Sequence, residues 1–281
     1  MVQTISKDID YTVCELSIQI NLNGFSFCIK NENKSIEVLE QITFTARQTP
    51  EKLLERLKGI FEKFTYLSKN YRKVAVIYQN ELFTLVPKET FDPDQPELYL
   101  QYSVRTLAND FVAYDDLENE EVVVVYVPYV NINNFFFEKY GSFSYYHSQT
   151  IFLRTILSQP QFLKNTQLLC NVFSSSFELL VLQDGKVQLM NSFIYESKED
   201  FLYYILFAAE QLDLKPENMN LYFLGISSKE NPLYLIAEKY VRNINLIKLD
   251  GDTSSKYSLD QLQQYFTLLN TDPNENYIRT L

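Results

Sequence analysis

The sequence predicts an α/β fold with mixed sheets and helices outside, built from two β-β-β-α-β-α-β-α halves. Three observations predict it. Residues 14–44 and 167–195 each run through three alternating strands. Each trio leads into a helix whose start is written in the sequence. Each helix then leads into a further apolar strand.

In the first half CELSIQIN (14–21) passes through Leu22-Asn23-Gly24 into FSFCIKN (25–31), and SIEVLEQITF (35–44) is the third strand. In the second, QLLCNV (167–172) passes through Phe173 and Ser174-Ser175-Ser176 into FELLVLQ (177–183). Asp184-Gly185, a strong hairpin pair, turns into KVQLMNSFIY (186–195). A period of two places Phe25, Phe27 and Ile29 on one face, and does the same for Phe177, Leu179 and Val181. Thr49-Pro50 sets a hydroxyl cap before a proline, whose missing N–H is harmless at the first helical position. Ser197 with Asp200 approximates a capping box.

The next strands are KVAVIYQ (73–79) and MNLYFLG (219–225). A helix over 232–242, the strand NLIKL (245–249) and a last helix capped by Ser258 and Gln261 complete the second half. The first half carries Pro- and acid-rich material over 80–120, read as an insertion. The half then resumes with VVVVYV (122–127), a helix at 132–140, the strand SFSYY (142–146) and a helix at 149–158. The expected division is 1–162, with the insertion, and 163–281.

Composition narrows the function classes. A chain of 281 residues, 46% hydrophobic, can bury a real core in each half. Its 21 Tyr and 21 Phe, against no Trp, supply rings that pack while the tyrosine hydroxyls stay wet, which suits interfaces. A net charge of −11 repels phosphate backbones and anionic lipid, so nucleic acid and membrane are not expected partners. The basic residues between Lys52 and Lys73 are interrupted by Glu55 and Glu62 and read as a solvated helix face. Cys14, Cys28 and Cys170 are odd in number and lack CxxC spacing, so they read as buried free thiols of a reducing compartment. The start, MVQTISKDIDYTV, lacks the pattern of a signal peptide. The longest apolar run, Val122–Val127, is far below the roughly 18–20 residues of a membrane span. A cytoplasmic location is the expectation.

The stretches NELFTLVPKETF (80–91), FSYYHSQTIFLRTIL (143–157) and NLYFLGISSKENPLYLIAEKYV (220–241) resemble an uncharacterised Bacteroidetes domain-of-unknown-function family. That family is assigned the actin-like ATPase, ribonuclease H-like fold, and the resemblance covers nearly the whole chain. In active members of the wider superfamily, an Asp before each first hairpin turn organises Mg²⁺ or water, and glycine-rich turns approach the phosphates. Here Asn21 and Asn171 stand at the Asp positions, and an amide carries no charge to hold a cation. Asn23-Gly24 keeps one glycine in the first turn, Phe173 and the serines replace those of the second, and LGISS (224–228) keeps only Gly225. The resemblance thus implies a nucleotide cleft at Asn21, Asn23, Gly24, Asn171, Ser174, Ser175, Ser176 and Gly225, with its pattern degraded at all three places.

Other motifs point to structure. His147, the single histidine, lacks an identifiable orienting carboxylate and nucleophile, and reads as a strand-end residue that helps start the next helix. Asp250-Gly-Asp252-Thr-Ser254 imitates a calcium loop, but Ser255 and Gln261 stand where Gly and Glu are needed. DDLENEE (115–121) reads as a solvated acidic loop. The aromatic segments 133–147 and PELYLQYSV (96–104) read as core faces, with a protein–protein surface as the other reading.

Two functions are open at this point. The preferred one is a non-catalytic interaction or scaffold module with no catalytic residue, metal or cofactor, an unknown protein partner and a homodimer as one arrangement. The other is a divergent nucleotide-binding protein or phosphotransferase that uses ATP and Mg²⁺ in the cleft between the halves.

Overall fold

The computed structural model describes residues 9–101, 103–104, 110–117, 121–249, 257, 262–272 and 278–280. The chain divides into two compact units, 1–151 with 267–271, and 152–266 with 272–281.

The first unit begins with β1 (Glu15–Asn21), β2 (Gly24–Lys30), β3 (Ile36–Thr43), α1 (Pro50–Lys63) and β4 (Lys73–Tyr78). It continues with β5 (Phe83–Pro87), α2 (Glu97–Leu100), β6 (Ala113–Asp116), β7 (Val122–Tyr126), α3 (Val130–Tyr140), β8 (Ser144–His147) and the start of α4 (Ser148–Leu157). Its main sheet runs β3-β2-β1-β4-β8, with β1, β4 and β8 parallel and β2 antiparallel to both its neighbours. The Thr49 hydroxyl accepts from Lys52 N at 3.4 Å, which starts α1 where the sequence places it. That helix buries Leu53, Leu57, Ile60 and Phe61, one stripe at helical spacing. Phe61 packs edge-on against Phe25 of β2 and Phe135 of α3, so one ring ties both helices to the sheet.

The inserted material differs from the expectation at its far end. The strand β7, expected to resume the main sheet, pairs instead with β5 and β6 in a separate three-stranded antiparallel sheet. Val86, Leu100, Val123, Val125 and Val127 give this sheet its own core. A run apolar on both faces suits either sheet, so its periodicity does not name its neighbours. The acidic run is also corrected: Asp115 and Asp116 belong to β6 rather than to a solvated loop, and Asp116 pairs with Lys88 at 2.6 Å. Of PELYLQYSV, Leu100 is buried and the Tyr99 hydroxyl donates to Thr90 O at 2.7 Å, while Glu97, Leu98, Gln101 and Ser103 are exposed.

The second unit, from within α4, holds β9 (Thr166–Val172), β10 (Ser176–Gln183), β11 (Lys186–Ile194), α5 (Lys198–Gln211) and β12 (Met219–Leu224). After them come α6 (Pro232–Ala237), β13 (Asn243–Leu249) and β14 (Ile278–Thr280), while α7 (Phe266–Leu269) belongs to the first unit from Thr267 onward. The sheet order is β11-β10-β9-β12-β13-β14, which repeats the first unit's plan and adds an antiparallel strand at one end. Asp184 and Gly185 both have positive φ, +50° and +79°, as a two-residue primed hairpin turn requires. The capping box is complete, with Ser197 and Asp200 each bonding the other's backbone N–H. The helix expected over 232–242 stops at Ala237. Residues 250–256, Ser258 and Gln261, which carry the calcium-loop and last-cap readings, lie outside the described residues.

Phe25, Phe27, Ile29, Phe177, Leu179 and Val181 are all fully buried, as the alternation predicts. All three cysteines are free and buried, and burial pushes the Cys14 and Cys170 thiols up, away from reactive thiolate. Among the described residues no helix is long and apolar enough to cross a membrane.

Candidate functional site

The residues singled out from sequence form one set in each unit. In the first, Asn21 and Gly24 are the last register pair of the β1–β2 hairpin. The Asn21 Oδ1 accepts from Asn23 N at 2.8 Å, and its Nδ2 donates to Gln79 Oε1 at 2.9 Å. That same oxygen accepts from Gln19 Nε2 at 2.9 Å. The turn carbonyls are also engaged, with Leu22 O accepting from Gln48 N and Asn23 O from Phe44 N, both at 2.8 Å. A Cβ on Gly24 would stand 3.0 Å from Ile42 O, so this glycine lets β3 come close.

The pair Tyr78 and His147 closes the β4–β8 register, so Gln79 and Ser148 each follow the carboxyl end of their strand. Gln19 Oε1, Ser148 Oγ and Gln149 Oε1 are buried without a hydrogen-bond partner among the described residues. The hydrogen-bonded group of Gln19, Asn21 and Gln79 is neutral. It can hydrogen-bond, but it cannot take a proton or hold a bare cation.

In the second unit Asn171 and Glu178 face each other across β9 and β10, each 2% exposed, and Asn171 Nδ2 donates to Glu178 Oε2 at 2.9 Å. The pair Val172 and Phe177 still separates Asn171 from its turn, whereas Asn21 borders its turn directly. Phe173 N donates to Ser176 O at 2.8 Å and closes the serine turn. Tyr195 fastens it, donating its hydroxyl to Phe173 O at 2.6 Å and its N–H to Ser175 O at 3.1 Å. Ser174 and Ser175 are exposed, and the three serine hydroxyls have no hydrogen-bond partner among the described residues.

Gly225 follows β12 with φ +78°, and a Cβ there would stand 2.1 Å from Val172 O. Only glycine lets the chain pass the end of β9 at this distance. The structure therefore gathers Asn171, the serine turn and Gly225 at one strand end. In both units the surviving glycines face protein backbone.

His147 is buried, and its ring is committed on both sides. Gln149 N donates to Nδ1 at 3.3 Å, which leaves Nε2–H to donate to Asn80 O at 3.2 Å. Burial holds its pKa down, at about 3, so the ring is neutral at physiological pH. A carboxylate does stand nearby, from the inserted sheet. Asp115 accepts from His147 N at 2.9 Å, the Thr150 hydroxyl at 2.6 Å and the Tyr126 hydroxyl at 3.1 Å. It caps the first turn of α4, where the helix dipole favours a negative charge.

Sequence reasoning missed Gln79, Glu178 and Asp115. A glutamate in the otherwise apolar strand FELLVLQ, on the face opposite Phe177, was the available signal for Glu178. No local pattern pointed to Gln79 or Asp115, because their partners lie 58 and 32 residues away. Among the described residues no cluster of His, Cys, Asp and Glu could hold a metal ion.

No curated protein matches the sequence. Among solved structures, one similar chain is a Bacteroides thetaiotaomicron VPI-5482 protein described as having an actin-like ATPase fold and unknown function. It is 23% identical, with 92% of this chain and 99% of that chain covered and a TM-score of 0.77. A chain of the PilM-PilN type IV pilus biogenesis complex is 14% identical, with 91% and 96% covered and a TM-score of 0.56. These likenesses establish the actin-like ATPase fold. Residues 4–244 match the family described as "Protein of unknown function (DUF3822)", and the chain belongs to that family.

Proposed function

We propose that this protein is a non-catalytic interaction or scaffold module on an actin-like ATPase fold. One observation carries the reading: at each place where a nucleotide would be held, the residues are neutral or spent on the protein itself. Asn21 uses both its side-chain atoms within the chain, and Asn171 is bonded to Glu178. Gly24 and Gly225 make room for β3 and β9. A phosphate cradle needs free backbone N–H groups and a carboxylate for Mg²⁺; the first set has no carboxylate, and in the second the carboxylate of Glu178 is buried and bonded to Asn171. The PilM-PilN match is itself a complex, which supports an interaction role.

The second reading, nucleotide binding or phosphoryl transfer, has one observation in its favour: the hydroxyls of Ser174–Ser176 have no partner among the described residues. Thermal unfolding with and without ATP, ADP and Mg²⁺ separates the two, using wild type, Asn171→Ala and Ser175→Ala. The interaction reading expects no shift at millimolar nucleotide. A saturable stabilisation that both variants abolish overturns it.

A further inference from the structure

The two main sheets end in comparable strands, β3 and β11, that differ in how their open edges are protected. In β3, Glu37 and Glu40 interrupt the edge. In β11 the only charge is Lys186 at its start; the register skips Gln188 in a bulge and Ser192 N donates to Asn191 Oδ1 at 2.8 Å, so the stretch from Leu189 to Ile194 holds the edge groups open to solvent, without charge or proline. Apart from the Ser192 N–H, the outward N–H and C=O groups of such an edge can accept another strand, and proteins ordinarily block them with charge as well as with a bulge. Here Ile194 is 69% exposed at its end.

The helix above this edge is also unfinished. A continuous series of rings leads from the core to the surface: Phe177 to Phe193 at 5.3 Å, Phe193 to Tyr204 at 4.9 Å, Tyr204 to Tyr203 at 5.5 Å, and Tyr203 to Phe207 at 5.7 Å. The last pair stacks in solvent, 60% and 43% exposed. Because Tyr204 packs on Phe193, helical spacing carries Phe207 along the flank of α5 that overlooks β11. A strand added to β11 would place alternate side chains beneath these rings.

Charge selects the occupant. Glu196, Glu199, Asp200 and Glu210 are exposed around the aromatic pair, with Lys198 as the basic residue among them. A second copy would bring the same acidic rim and a net charge of −11, so like charges oppose self-pairing.

We infer that β11 and the Tyr203–Phe207 flank of α5 form a strand-addition site for an extended partner segment, apolar at alternate positions and flanked by Lys or Arg. The inference rests on the interaction reading and names its surface and the chemistry of its partner.

Fluorescence polarisation with a labelled peptide of about ten residues, alternating Val and Thr with Lys at both ends, tests it. Saturable binding to wild type is expected, at least about tenfold weaker in the Tyr203→Ala/Phe207→Ala variant, a loss of about 1.4 kcal/mol or more. Binding should also fall in Glu199→Lys/Glu210→Lys. It should vanish for a peptide N-methylated at alternate residues, which cannot extend the sheet, or for one with Glu in place of Lys. No saturable binding overturns the proposal, as does binding indifferent to N-methylation and to both variants. A concentration-dependent dimer broken by Phe207→Ala would assign the edge to a second copy and overturn it as well. None of these outcomes bears on nucleotide, so failure here leaves the thermal test of the interaction reading intact.

Discussion

The first strands of the two units, β1 and β9, hold the same place in sheets of the same plan, yet they are buried differently. β1 alternates strictly, with Leu16, Ile18 and Ile20 buried and Glu15, Ser17, Gln19 and Asn21 half-buried on the other face. β9 is buried from Gln167 through Asn171 on both faces. The asparagine at or next to the end of each strand is secured accordingly, by the neutral amide of Gln79 in the first unit and by the buried carboxylate of Glu178 in the second. The difference teaches that each half secures this corner through its own packing and its own hydrogen-bond partner. Four perturbations break or sharpen the comparison.

The largest effect is expected at the turn glycines. Gly225→Ala drives a Cβ to 2.1 Å from Val172 O at a positive φ, and should cost about 4 kcal/mol or more. Gly24→Ala meets Ile42 O at 3.0 Å with no positive φ, and should cost about 1–2 kcal/mol. Denaturant midpoints measure both. Equal, small losses would show that the close approach at Gly225 relaxes freely.

Next come the asparagines. Asn171→Asp sets a second carboxylate against Glu178 in a buried pair, and should cost about 3 kcal/mol at neutral pH. The pair's folded pKa is then raised, so the deficit is greatest at high pH and shrinks as pH falls and one proton is shared. Asn21→Asp faces Asn23 N–H and a neutral amide, and should change stability by about 1 kcal/mol or less, with little pH dependence. Unfolding curves across pH read the contrast directly.

His147 tests the corner of the first unit by itself. Its folded pKa of about 3 lies below the 6.5 of an unfolded histidine, so the unfolded chain binds the proton more readily. Its contribution is complete above pH 6.5 and is lost as pH falls toward 3, at about 1.4 kcal/mol per pH unit. No other histidine occurs in the chain, so His147→Gln should flatten the slope between pH 6.5 and 5. An unchanged slope would contradict the buried, neutral ring.

The smallest effect is a control. Gly59 lies exposed in α1 with nothing within 4 Å of an added Cβ, so Gly59→Ala should stabilise by about 0.5–1 kcal/mol. A loss there would undercut the view that glycine is needed only where backbone crowds it or φ is positive.

What could be read from sequence follows the range of the interactions. The caps at Thr49 and Ser197, the Asp184-Gly185 turn and the buried faces of β2 and β10 are set by residues within a few positions of one another, and all stand as expected. The sheet membership of β7 is set across the chain by β5 and β6, and its valines fit either sheet. The candidate site divides the same way. Its turns and asparagines were legible, while the backbone oxygens against which Gly24 and Gly225 pack come from other strands. A glycine kept for a neighbouring strand and one kept for a phosphate look alike in one sequence.

The central claim is that this actin-like fold keeps its frame without a nucleotide site. Calorimetric titration of Mg²⁺-ATP into the wild-type protein tests it most directly. The account predicts no saturable heat at millimolar nucleotide. A saturable isotherm that Ser175→Ala and Asn171→Ala both abolish would contradict it.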